Sequence, residues 1–224
     1  MTLPAQTLLP NAAINGSNVL QWPCESVHYP LKIVAQANLP TRFGEFKIVA
    51  FSPTPDGKEH IAMVRGNVKG GNSVPVRIHS ECLTGDVMGS YRCDCRDQLE
   101  AALRHMGEQE QGIVLYMRQE GRGIGLANKL RAYVLQEQGL DTVDANHALG
   151  FEDDERNYRV AAEMLKAMGV NSVKLFTNNP KKVAGLEENG ITVTERVQHQ
   201  LPANKHNHFY LETKAKKSGH LLNM

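Results

Sequence analysis

Cys82, Cys93 and Cys95 stand in the pattern C-x10-C-x-C within residues 77–99, RIHSECLTGDVMGSYRCDCRDQL. If three thiols share one ion, the segment before the first, the loop between them and the segment after the last must meet at a point. Zinc favours thiolate ligands, and closed structural sites normally carry four protein ligands. Three sulfurs leave one position open, the arrangement of catalytic zinc, whose bound water is acidified towards neutrality. His79 is the residue that could close the site instead, if the preceding strand curls back. A third possibility is that the thiols hold no metal.

The rest of the composition sets the setting for that cluster. A chain of 224 residues with 41% hydrophobic and 22% charged residues is long enough for a substantial core. The formal charge of +1 gives no global case for nucleic acid or an anionic membrane, so basic groups must act locally. No apolar run approaches the roughly 20 residues of a spanning helix. The first residues, MTLPAQTLLPNAAINGSN, lack the basic start and compact apolar core of a secretory signal. The cytoplasm is the expected location. There, clustered cysteines are metal ligands or catalytic groups more often than disulfides.

Residues 1–30, with Pro4, Pro10, Pro23 and Pro30, read as a flexible arm that packs in part through Trp22; Cys24 stands alone in it. Residues 31–224 read as one domain. From Leu31 to Ile78 the pattern is β, in the runs KIVAQANL, GEFKIVAF, HIAMVRGNV and VPVRIH. After Cys95, Leu99, Ala102, Leu103 and Met106 recur at helical spacing, and Ile113–Met117 is a short apolar strand. Helices are expected at about 126–138 and 157–168, ended by Gly139 and Gly169. A loop is expected between them. A strand at 172–177 leads through the cap and first-turn pair Asn179-Pro180 into a helix ended by Gly190, then a strand at 191–197. That β-α-β unit requires a parallel strand pair. The tail from Gln198 reads as polar and partly mobile. The expected fold is α/β: a mixed sheet with flanking helices, β-rich in its N-terminal half and β-α-β in its C-terminal half.

Two strand ends carry a second chemistry. RQEGRGIGL places Arg118, Arg122 and three glycines before a helix, where backbone N–H groups can approach an anion. It matches neither the Walker nor the dinucleotide-binding spacing. TNNPKKV places Thr177, Lys181 and Lys182 at a helix start, where the helix dipole disfavours cations unless an anion compensates them. Loops after strand ends converge on the crevice where α/β sheets bind ligands. Asp154 and Glu81 are candidates for moving protons near a metal water. A metal water beside polyphosphate grips points to a nucleotide hydrolase.

At this point the chain resembles a known family. RIHSECLTGD, RCDC with QLEAAL, RQEGRGIGL with NK-RAY, DTVDAN, LGFEDDER, LFTNNPKKV and YLETKAKKSGHLL occur in order and are similar to GTP cyclohydrolase II, over about 31–224. The resemblance implies conversion of GTP to 2,5-diamino-6-(5-phosphoribosylamino)pyrimidin-4(3H)-one, formate and pyrophosphate, the entry to riboflavin. It implies a homodimer, with Cys82, Cys93 and Cys95 as zinc ligands and magnesium on the phosphates. Arg77, Ile78, His79, Ser80, Glu81, Gln98, Glu120, Gly121, Arg122, Thr142, Thr177 and Lys182 match nucleotide-contacting positions. Asp154 matches a proposed proton acceptor, Arg156 a proposed nucleophile, and Tyr133 a tyrosine near the purine. A guanidinium stays protonated at ordinary pH, so Arg156 serves equally well as a clamp on the α-phosphate. Glu120 is the candidate for reading guanine's N–H groups.

Two positions depart from the family pattern. Arg96 follows RCDC where glycine is common, and could either tighten phosphate binding or crowd the turn. Met117 stands where histidine is frequent. The alternatives to the full reaction are a relative that stops at the formamide and a non-catalytic regulator that keeps zinc and nucleotide.

Overall fold

A computed structural model of the protein describes residues 31–52 and 54–223. The expected arm at 1–30, with Trp22 and Cys24, lies outside the described residues. Among the described residues seven strands form one mixed sheet: β1 (Lys32–Thr41), β2 (Gly44–Ser52), β3 (Ile61–Arg65), β4 (Val74–Ser80), β5 (Gly112–Met117), β6 (Ser172–Phe176) and β7 (Thr192–Val197). Their order is β1-β2-β3-β5-β4-β6-β7. β1, β2, β3 and β5 pair antiparallel, whereas β5, β4, β6 and β7 pair parallel. Two-residue alternation in the N-terminal half makes the first part, and the β-α-β grammar makes the second.

Among the described residues six α-helices accompany the sheet: α1 (Cys95–Glu108), α2 (Gly125–Glu137), α3 (Thr142–Ala148), α4 (Arg159–Ala167), α5 (Pro180–Glu187) and α6 (His208–Lys216). α5 starts as expected, with the Asn179 side chain accepting from the Lys181 N–H at 2.9 Å and proline in the first turn. The sequence reading misses α3 and α6. It places α3 in a loop, and it leaves α6 in a mobile tail.

Strand alternation divides the core between the two faces of the sheet. Val74, Val76 and Ile78 of β4 pack with Ile113, Leu115 and Met117 of β5 and with Met164, Leu165 and Leu186 of α4 and α5. Val114 faces the other way, onto Ala102, Leu103 and Met106 of α1 and Phe46 of β2. Met117 is therefore core packing. The same alternation sends Arg77 and His79 to the face opposite Ile78.

β4 is followed in sequence by its neighbour β5 on one side, while β6 joins it on the other. The chain thus switches direction beside β4, and the crevice beyond the strands' carboxyl ends is where an open parallel sheet binds ligands. Ser80, Arg118–Glu120 and Thr177–Asn179 all lie at those ends.

Candidate active site

The cluster forms where the β4 exit, a π-helical turn at Leu83–Val87 and the start of α1 meet. The Sγ atoms of Cys82, Cys93 and Cys95 lie within 4.8 Å of one another, and all three cysteines are free thiols. Asp86 locks the turn. It accepts from the Cys82 N–H at 3.0 Å, the Tyr116 hydroxyl at 2.9 Å and His79 Nε2 at 3.0 Å. His79 gives its Nε2 to Asp86, and the cluster of candidate ligand atoms among the described residues contains only the three sulfurs, so His79 does not close the site. Gly85 supplies the room: a Cβ there would sit 2.8 Å from the Cys93 sulfur and 3.1 Å from the Cys82 sulfur.

The donor set fits zinc. Three thiols at one point, with no fourth candidate ligand among the described residues, match a soft-metal site that keeps an open position. Hydrogen bonding from Cys93 and Cys95 and the charge of Lys129 favour the Cys82 thiolate, holding its pKa far below the usual thiol value. Hydrogen bonding to Cys82 pushes the Cys93 thiol up to about 11.

Lys129 escaped the sequence reading. Its Nζ donates to Cys82 Sγ at 3.0 Å and to Glu120 Oε1 at 2.8 Å. One turn on, Tyr133 donates or accepts with Thr84 Oγ1 at 3.3 Å, so one face of α2 abuts the thiols. The i, i+4 spacing of Lys129 and Tyr133 was the available signal, but only the fold shows what that face meets. Glu120 also accepts from the Leu83 N–H at 2.6 Å and the Gly121 N–H at 2.9 Å. Its carboxylate fixes the loop and Lys129, in addition to facing the cleft.

Two clefts open on either side of this centre. The first is cationic, with Arg77, Gln98, Thr177 and Lys182 in its wall. The second holds Cys82, Cys93, Glu81, Glu120, Gly121, Tyr133 and Thr142. Ser80, Cys95, Arg122, Arg156 and Tyr210 line both, so the thiol cluster reaches the seam through Cys95. Ile78 is the exception among the expected contacts. Its side chain is fully buried in the core and lines neither cleft, while its carbonyl accepts from Lys182 Nζ at 2.8 Å. Strand alternation is the reason.

The cationic cleft has unspent polar capacity. Arg77 Nε, His79 Nδ1, Arg122 Nη2, Asn179 Nδ2 and His220 Nδ1 are buried without a hydrogen-bond partner. Burial, with the charges of Arg77 and Arg156 adding to it, pushes Lys182 well below its usual pKa; burial takes Arg77 down to about 10. An anion there would relieve both costs.

The loop after β5 bends through left-handed backbone at Gly121 (φ 63°) and at Arg122 (φ 60°), a strained conformation for a residue with a side chain. It aims Arg122 at the Asp153 carboxylate and Ser218 Oγ, the latter at 3.1 Å. Asp154 lines neither cleft directly. It grips the Arg156 guanidinium by two hydrogen bonds, 2.7 and 2.6 Å, and accepts a third from the Arg156 N–H at 3.2 Å. Burial opposes ionisation of Asp154, but the Arg156 hydrogen bonds and charge outweigh it and hold the carboxyl below its usual range. Burial likewise opposes charge on Arg156, yet Tyr158 and Asp154 hold the guanidinium above its usual value. Glu81 accepts from Arg118 at 3.0 Å. Arg96 is exposed, pairs with Glu100 at 3.2 Å and lines neither cleft, and its guanidinium lies over Gly89 in the loop between the thiols.

Fold and site together define a class: a mixed α/β protein with a candidate three-thiolate metal centre set between an anion cleft and a second ligand cleft. The chain belongs to the GTP cyclohydrolase II family, whose sequence model matches residues 32–198. It is 58% identical over 185 residues to the riboflavin biosynthesis protein RibBA of Bacillus subtilis (strain 168), covering 82% of this chain and 46% of that one. It is 57% identical over 189 residues to the RibBA of Bacillus mycoides (strain KBAB4), covering 84% and 48%. It is 56% identical over 193 residues to the GTP cyclohydrolase-2 of Escherichia coli O9:H4 (strain HS), covering 86% and 98%. The chain spans about half the length of the RibBA relatives and nearly all of the E. coli one.

Proposed function

We propose that the protein is a zinc-dependent GTP cyclohydrolase II, converting GTP to 2,5-diamino-6-(5-phosphoribosylamino)pyrimidin-4(3H)-one, formate and pyrophosphate, the first committed step of riboflavin biosynthesis. One observation carries this reading: the thiol cluster reaches the seam between a cleft fit for a base and a cleft fit for phosphates. A purine nucleotide bound across both would bring its ring to the thiols and its phosphates to Arg77, Arg156 and Lys182.

Cys82, Cys93 and Cys95 hold the metal. Zinc, when bound there, acidifies water for hydrolysis at a purine ring carbon. Lys129 hydrogen-bonds the Cys82 sulfur, draws off part of the thiolate's charge and so limits how far three thiolates blunt the metal's acidity. Tyr133 and Thr142 form the wall against which the base lies, and Glu120 accepts from guanine's N–H groups while sharing its charge with Lys129. Arg77, Arg122, Thr177 and Lys182 bind phosphate oxygens, and magnesium, a hard cation suited to oxygen ligands, would supply further charge neutralisation there.

Arg156 acts as a charged clamp on the α-phosphate. The environment that keeps its guanidinium protonated favours electrostatic stabilisation over nucleophilic attack. As Arg156 turns to phosphate it loosens from Asp154, and the freed carboxylate regains basicity and can accept a proton.

The proposal includes a homodimer in the cytoplasm. Val87, Met88 and Tyr91 beside the thiols, and Leu130 and Val134 on α2, are exposed apolar residues that a second copy would cover. Among the described residues no helix is long and apolar enough to cross a membrane.

Mass analysis of the nucleotide made from GTP, with ATP as control, tests the reading. The expected product has lost the purine carbon as formate and two phosphates as pyrophosphate, and ATP is left intact. A product that retains the formyl carbon would assign the chain to a partial reaction, and unchanged GTP would assign it a binding role.

A further inference from the structure

Residues 210–222 lie beyond the stretch matched by the family model, and none of the roles above falls on them. α6 and the chain after it nonetheless run along the cationic cleft. Tyr210, Leu211, Lys214, His220 and Leu222 line it opposite Arg77, Arg156 and Lys182. The segment is stitched down at separate points. Lys217 Nζ pairs with Asp141 at 2.5 Å and with Asp144 at 2.9 Å. Ser218 Oγ accepts from Arg122 and donates to Asp153, each at 3.1 Å, and the Leu221 N–H donates to the Asn178 carbonyl at 2.8 Å. The anchors come from α3, from the glycine loop's partner and from the β6 exit, which are themselves walls of the two clefts.

Lys214 is the cation this strap brings in. Its side chain is only 12% exposed, and its Nζ rests 3.2 Å from Asp94 Oδ1 and 4.2 Å from the centre of the Tyr210 ring. Asp94 already receives the Gln98 amide, and Gln98 in turn receives Arg77. The cleft is lined by five basic side chains, Arg77, Arg122, Arg156, Lys182 and Lys214, and one carboxylate, Asp94, while Asp153 and Asp154 hold Arg122 and Arg156 from behind the wall. His220 adds a buried Nδ1 with no partner on the same wall. A 3.2 Å ion pair is a loose hold for a buried ammonium, and a polyphosphate offers it better acceptors.

We infer that Lys214 is a further substrate-binding residue: carried by the carboxy-terminal strap, it leaves Asp94 to grip the terminal phosphates of the nucleotide. This rests on the nucleotide reading above for the identity of the substrate, but the grip itself requires only a polyphosphate. Lys214 binds charge, so its contribution scales with phosphate number. A side chain that merely held the strap in place would affect every ligand alike.

The test measures equilibrium binding of GTP, guanosine and inorganic tripolyphosphate to the whole zinc-loaded protein, comparing wild type with Lys214→Met and Lys214→Arg. The expected result is a loss of about tenfold or more for GTP and tripolyphosphate in Lys214→Met, matching removal of one charge-assisted hydrogen bond. Guanosine binding is unchanged, and Lys214→Arg recovers most of the loss. Equal weakening of guanosine, or no weakening of tripolyphosphate, would overturn the inference. If Lys214→Met is too unstable to measure, Lys214→Arg and Lys214→Gln decide it: both charge states binding tripolyphosphate equally would refute the role. Wild type that binds tripolyphosphate but not GTP would sink the nucleotide reading and leave the Lys214 result standing. Wild type that binds neither would end both.

Discussion

At the scale of single residues, Gly85 sets whether the thiols can meet. Any side chain there would press on the Cys93 and Cys82 sulfurs at 2.8 and 3.1 Å, inside the contact distance for carbon and sulfur. Gly85→Ala is expected to lower bound zinc per chain well below one while leaving the far-ultraviolet circular dichroism unchanged, because the clash is local to the cluster. Metal analysis after gel filtration checks it, and a fully loaded variant would show that the turn relaxes. In the sequence, the cysteine spacing marked the ligands, but the requirement for glycine three residues after Cys82 could not be seen. It arises from Cys93 and Cys95 approaching across the loop. Lys129 was hidden for the same reason, since its contact with Cys82 spans α1, β5 and the start of α2. Arg96, which drew notice as a departure from the family pattern, turns out to face solvent at the outer side of α1.

At the scale of elements, the strands and long helices were legible because burial follows their own periodicity. Ile113, Leu115 and Met117 alternate with Val114, and in α4 the core residues Val160, Ala161, Met164 and Leu165 recur at helical spacing, with Ala162 and Glu163 buried between them. α3 and α6 were not. α3 is seven residues long, too short for a periodic signal, and buries Val143, Ala145 and Asn146. α6 buries Leu211 and Thr213 within HFYLETKAK, and Phe209, its largest apolar side chain, faces solvent. Tertiary contacts hold both. Asp141 caps α3, accepting from the Val143 and Asp144 N–H groups at 2.8 and 3.0 Å, and it also receives Lys217 from the strap. Asp141→Ala is expected to cost about 1 kcal/mol in urea unfolding through the lost cap. The same change should raise the proteolytic sensitivity of the carboxy-terminal strap. An unchanged urea midpoint would mean the cap is replaced by water.

At the scale of the molecule, the crevice beyond the carboxyl ends of β4, β5 and β6 gathers buried bases, and these make stability depend on pH. Burial, reinforced by Arg77, holds His199 down at about 4, and burial with Lys214 and Arg122 holds His220 down at about 3. Both are neutral in the folded protein near neutral pH, while the unfolded chain takes up protons below about 6.5. A lowered folded pKa means that stability is fully present above the unfolded value and is lost as pH falls towards the folded one. The thermal midpoint is therefore expected to drop between pH 7 and pH 5. Thiol protonation adds to that drop in the metal-loaded protein, so His199→Gln isolates the histidine part. Glutamine can still donate to the Gln98 carbonyl, which His199 Nε2 contacts at 2.8 Å, and it does not titrate. The variant should show a shallower fall; an identical slope would assign the dependence elsewhere.

The same crevice carries the central claim, that one thiolate centre between two clefts opens a guanine ring and works beside the cleavage of its triphosphate. The most direct measurement follows formate and pyrophosphate together, from purified protein given GTP and magnesium, before and after chelation and with zinc restored. The expected result is formate and pyrophosphate in equal amounts from the zinc-loaded protein, loss of formate on chelation, and its return with zinc. Full formate release by a metal-stripped protein, or pyrophosphate with no formate from a fully zinc-loaded one, would contradict the account.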